Sequence, residues 1–106
     1  MELIQGIHDY IHRHIPHHVP LILAGDFNDW RHQSCRSIGS LLGLDEAFLR
    51  FSGHRPKTFP ARMPVLSLDR IYTRHLNVLD AVTYQGKPWQ TLSDHLPLSA
   101  TVIPKN

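Results

Sequence analysis

Pro16 and Pro20 divide the start of the chain into two unlike pieces. Before them, Leu3, Ile4, Ile7, Ile11 and Ile15 recur at spacings of three and four, which predicts an amphipathic helix over Glu2–Ile15. The prolines, bracketing His17, His18 and Val19, cannot continue it. After them, Leu21-Ile22-Leu23-Ala24 is a continuous apolar run that reads as a short strand buried on both faces. Gly25 breaks the run, and Asp26-Phe27-Asn28-Asp29 follows as a polar loop at the strand's C-terminal end.

The later elements follow from similar signals. Ser34 can cap a short helix running to about Leu42, with Gly43 as its stop. Thr58-Phe59-Pro60 and Met63-Pro64 mark an extended, turn-rich stretch. Leu68–Thr73 and Val78–Tyr84 are predicted strands, the second with Val78, Asp80, Val82 and Tyr84 on one face. Gln85-Gly86-Lys87-Pro88 is a turn, and Leu96, Leu98, Ala100 and Val102 alternate in a last strand. The expected class is α+β: one mainly antiparallel sheet with helices on a single face.

Composition narrows the function. At 106 residues, the chain is long enough for one compact domain, and 42% hydrophobic with 19% charged residues is a globular balance. No window approaches the roughly 20 apolar residues of a membrane span. A formal charge of +2 is too small to argue for nucleic acid by itself. The basic stretch Arg50, Arg55, Lys57 and Arg62 reads as a solvated loop. Cys35 is the one cysteine, so no internal disulfide forms, and a reducing, cytoplasmic location is the expectation.

Three short segments join acidic or amide groups to strand ends. In Gly25-Asp26-Phe27-Asn28, Asp26 and Asn28 sit two apart and point the same way on extended backbone. The carboxylate can orient or deprotonate a water, and the amide can donate to a phosphate oxygen. In Leu68-Asp69-Arg70-Ile71-Tyr72, an Asp within an apolar strand needs a partner, and a catalytic His needs such an acceptor on its second nitrogen. In Ser93-Asp94-His95-Leu96-Pro97, the carboxylate suits a hard metal ion and the imidazole can move a proton near neutral pH. Taken singly, the first and third are better read as a strand-to-turn junction and a capped polar loop. The second reads alone as a surface Asp paired with Arg70 or Arg74.

In this order the three segments resemble the endonuclease/exonuclease/phosphatase superfamily, the deoxyribonuclease I-like phosphoesterases. The resemblance implies hydrolysis of a phosphoester in nucleic acid, phospholipid or a small phosphate ester, with Mg²⁺ or Mn²⁺ as cofactor. By that resemblance Asp26 positions the attacking water and Asn28 contacts the scissile phosphate. His95 stabilises charge on the phosphoryl group, Asp69 hydrogen-bonds His95, and Asp94 lies near the metal. The family domain is a longer, four-layer α/β sandwich whose N-terminal half supplies an Asn and the main metal-binding Glu. The only glutamates here are Glu2 and Glu46, neither in that context. The chain therefore matches the C-terminal part of such a domain, with weak or no activity expected of it alone, and with self-association or pairing with the missing half to cover the open sheet.

The nine histidines support a rival reading. His8 and His12 are one helical turn apart, a spacing that chelates zinc, and His14, His17 and His18 follow closely. A non-catalytic interaction or zinc-binding module is the alternative, weighed against a simply solvated helix face.

Overall fold

The computed structural model describes residues 2–27 and 39–105. Helix α1 spans Glu2–His14, and its inward stripe packs Ile11 into the fold. The loop after it leads into strand β1, Leu21–Asp26. Residues 39–42 are helical and end at Gly43, whose φ of 68° is the left-handed conformation that a helix stop favours in glycine. The Gly43 and Leu44 amides donate back to the Ser40 and Gly39 carbonyls, which closes that turn. Ser34, the expected cap, lies outside the described residues.

A two-residue strand β2, Asp45–Glu46, runs directly into helix α2, Ala47–Ser52. Glu46 caps this helix: its carboxylate accepts from the Phe48 amide at 2.8 Å and the Leu49 amide at 3.3 Å. Strands β3, Asp69–Arg74, and β4, Leu76–Thr83, follow with only His75 between them. A short helix α3, Trp89–Leu92, precedes the last strand β5, Leu98–Pro104.

Among the described residues every strand pair is antiparallel, as expected, but the strands divide into two sheets rather than one. The first has the order β1-β3-β2 and the second pairs β4 with β5. His75, at φ 60°, is where the chain leaves β3 and turns into the other sheet.

Two local expectations fail for physical reasons. Strand β1 is at an edge and is not buried on both faces. Leu21 and Leu23 pack against the core of Leu42, Leu44 and Tyr72, while Ile22 on the other face is 55% exposed. The continuous apolar run hides this alternation. In β4, the pairs Val78↔Val102 and Asp80↔Thr101 leave Leu79 as an extra residue, a β-bulge. The simple alternation assigned to Val78–Tyr84 therefore breaks at Leu79. Beyond it, Ala81 and Thr83 line a groove with Phe48 and Ser52 of α2.

The core is small, so single contacts weigh heavily. Leu44→Ala is expected to cost about 2–5 kcal/mol through lost burial and a residual cavity. Glu46→Ala, which removes only the cap, should cost about 1 kcal/mol. Urea unfolding monitored by circular dichroism measures both, and equal losses would contradict this partition.

Candidate functional site

The register of β1 against β3 builds the site's floor. Asp26 pairs directly with Asp69 at the end of the two strands. Residues directly opposed in an antiparallel pair project from the same face, so the two carboxylates share one side of the sheet. They line a hollow with Leu96, Pro97 and Leu98, the residues that lead into β5.

His95 approaches the two carboxylates from the loop between α3 and β5. Its Nδ1 lies 2.6 Å from Asp69 Oδ2, and its Nε2 lies 3.9 Å from Asp26 Oδ2. The imidazole thus stands between two carboxylates. The Asp69 hydrogen bond, helped by the charges of Asp69, Asp26 and Asp94, holds the His95 pKa above the ordinary imidazole value, while partial burial opposes the shift. An ionised Asp69 only accepts, so Nδ1 carries a proton and Nε2 is the nitrogen left for other chemistry.

Thr58, fully buried, organises the pair, and sequence reasoning treated it only as extended backbone. Its hydroxyl donates to Asp69 Oδ2 at 2.6 Å and accepts from the Asp69 amide at 3.4 Å. Its carbonyl accepts from the Leu96 amide at 2.8 Å, and the Ala61 amide donates to the Asp94 carbonyl at 2.8 Å. The neighbouring Phe59 ring lies 5.0 Å from the His95 ring. The signal available was a small hydroxyl residue in the turn-rich stretch before a strand Asp, which is not specific. Ser93 adds a local constraint by accepting from the His95 amide at 3.2 Å.

Of the five residues singled out from the sequence, Asp26, Asp69 and His95 come together, each offering a ligand atom within 4.8 Å of the others. Asp94 is exposed beside them and lines a neighbouring hollow with Pro60 and Arg62. Asn28 lies outside the described residues. Glu46 is elsewhere, buried as the cap of α2, and burial pushes its carboxyl above the usual range. Among the described residues it is not a donor to this site.

The donor chemistry fits a hard divalent cation. Mg²⁺ and Mn²⁺ prefer carboxylate oxygen and keep several waters, so few protein ligands suffice. Among the described residues, the side chains whose ligand atoms converge enough to hold such an ion are Asp26, Asp69 and His95.

Comparison with known proteins shows the family. The model of the Endonuclease/Exonuclease/phosphatase family matches residues 2–95. The Uncharacterized protein YbhP of Escherichia coli K12 is 41% identical over 88 residues, covering 83% of this chain and 35% of the relative. The protein of the same name from Shigella flexneri matches equally. The chain thus spans about a third of the length of the curated relatives it matches. No solved structure matches.

The His95 environment is directly measurable. In a ¹H–¹⁵N titration of metal-free protein, the His95 midpoint is expected above the usual imidazole value of about 6.5. Asp69→Asn should move it down, because the largest raising influence is lost while partial burial remains. An unchanged midpoint in that variant would contradict the pairing.

Proposed function

The chain belongs to the endonuclease/exonuclease/phosphatase family, and from that premise we propose that it carries the C-terminal share of a divalent-metal-dependent phosphoester hydrolase site. The observation that carries this reading is the Asp69–His95 hydrogen bond of 2.6 Å, with His95 Nε2 turned toward Asp26. A carboxylate fixing one imidazole nitrogen so that the other meets substrate is the arrangement that charged-oxygen chemistry requires.

In this reading, protonated His95 donates from Nε2 to a phosphoryl oxygen, where negative charge must be stabilised as the leaving group departs. Its raised pKa keeps the proton available near neutral pH. Asp69 is a positioning residue, held by Thr58, that fixes the ring and its tautomer. Asp26 orients the attacking water and accepts its proton. Asn28 contributes a neutral amide to the scissile phosphate, a role taken from family resemblance. Asp94 would hold Mg²⁺ or Mn²⁺, with Asp26 as a second oxygen donor. When bound, the ion neutralises charge on the phosphoryl group.

The substrate class is a phosphoester of nucleic acid, phospholipid or a small molecule. As a domain, residues 1–106 are read as the C-terminal portion of a four-layer sandwich. The 35% coverage of the relatives supports a partial domain, and the exposed Ile22 on β1 supports an open sheet face. Self-association or pairing with a preceding half would cover that face. Glu46, spent as a helix cap, cannot supply the family's metal-binding Glu, so the isolated chain should turn over weakly or not at all.

The test is a phosphodiester panel with Mg²⁺ and Mn²⁺, run on the chain alone and with the rest of the family domain restored. Little turnover alone and clear turnover on restoration are expected. In the restored protein His95→Ala should lower kcat by about 10²–10⁴-fold. Restored turnover that survives His95→Ala, or metal-independent turnover, would overturn the reading.

A further inference from the structure

A second cluster of metal-ligating side chains lies away from the phosphoester site. His8 and His12 occupy successive turns on one side of α1, with rings parallel to within 4° and centres 6.0 Å apart. His17, in the loop after the helix, meets His12 edge-on at 5.9 Å. These three rings line one cavity of about 440 Å³, with Ile11, Ile15 and Leu42 as its apolar wall.

The loop that presents His17 is pinned from β3. Arg74 donates to the carbonyls of Pro16 and Val19 at 3.0 and 2.9 Å through Nη2, and again to Val19 through Nε at 3.2 Å. His75 Nε2 lies 2.6 Å from the His17 carbonyl, so that nitrogen is the donor. These contacts engage the Arg74 and His75 donors with backbone oxygens and hold His17 beside the helix. His8 has an outer partner of its own. Its Nδ1 is 3.3 Å from Asp9 Oδ1, and Asp9 Oδ1 also accepts from Gln5 at 3.0 Å. A carboxylate at Nδ1 places the lone pair of the neutral ring on Nε2, the ligand nitrogen, and is the usual outer partner of a metal-bound histidine.

We propose that His8, His12 and His17 form a binding site for a borderline transition-metal dication of the Zn²⁺ type, with a position left open toward solvent. The spacing is close to what coordination needs. Imidazoles sharing one tetrahedral Zn²⁺ at about 2.0–2.1 Å hold their ring centres roughly 5 Å apart. The rings here must close by about 1 Å, and the parallel His8 and His12 rings must turn out of their stack so that their in-plane Nε2 lone pairs meet at one point, a change of side-chain torsion. Three neutral nitrogens select Zn²⁺ over Mg²⁺, which demands oxygen. The site is thus chemically separate from the carboxylate-rich one at His95, and it stands whether or not the phosphoesterase reading holds.

The test is titration of the untagged chain with Zn²⁺ in excess Mg²⁺, read by calorimetry and by the ring-proton resonances of the histidines. One Zn²⁺ per chain is expected, with His8, His12 and His17 resonances shifting. The double variant His8→Gln/His12→Gln should abolish binding, and Asp9→Ala should weaken it by about tenfold. His14→Gln/His18→Gln and His95→Gln should leave it unchanged. Ring shifts in the unsubstituted chain decide the matter even if the double variant folds poorly. Binding that persists in the folded double variant, binding lost in His95→Gln, or no shift at His8, His12 and His17 would overturn the proposal.

Discussion

Two carboxylates face each other across a strand pair, and much of the local structure answers that constraint. The β1–β3 register places Asp26 directly opposite Asp69. Like charges so opposed repel, and water alone screens them poorly at a partly enclosed sheet end. His95 resolves this by placing one nitrogen against each carboxylate, at 2.6 and 3.9 Å. The Asp69 hydrogen bond first, and then the charges of Asp69, Asp26 and Asp94, favour its protonated form. A histidine whose pKa is raised by folding contributes stability that is fully present below its unfolded pKa. That stability is lost as pH rises through the higher folded value. A bound dication would supply the missing positive charge above that range. The carboxylates that hold His95 are therefore also the groups that would receive a cation.

The pair also explains why the irregular stretch before β3 is so well held. Thr58 spends its hydroxyl on Asp69 and its carbonyl on Leu96, while Ala61 fixes the Asp94 carbonyl. One loop therefore sets the positions of both acidic motifs, one at the start of β3 and the other in the loop before β5. Phe59 packs against the imidazole at a tilt, ring centres 5.0 Å apart. Loss of this loop's order would loosen Asp69, Asp94 and His95 together, so the site is a property of the loop clamp as much as of the strands.

Much of this arrangement was legible in the chain. The prolines, the apolar run and the alternating strands located α1, β1 and β3, because each depends on local spacing and residue type, while the Asp69–His95 partnership, 26 residues apart, came from the family resemblance of the ordered acidic motifs. What escaped depends on long-range pairing. The Leu79 bulge is visible only when β4 is laid against β5. The split into two sheets turns on one left-handed residue, His75, which carries no compositional mark. The exposure of Ile22 follows from β1 being an edge, which a uniform apolar run cannot reveal. Thr58 escaped because its partners lie 11 and 38 residues away in sequence.

Paramagnetic broadening by Mn²⁺ tests the central claim most directly, since it requires no turnover. At substoichiometric Mn²⁺, the account predicts selective broadening of the His95 ring and the amides around Asp26, Asp69 and Asp94, abolished in an Asp26→Ala/Asp94→Ala variant. Broadening that leaves His95 untouched, or that survives the loss of both carboxylates, would contradict it.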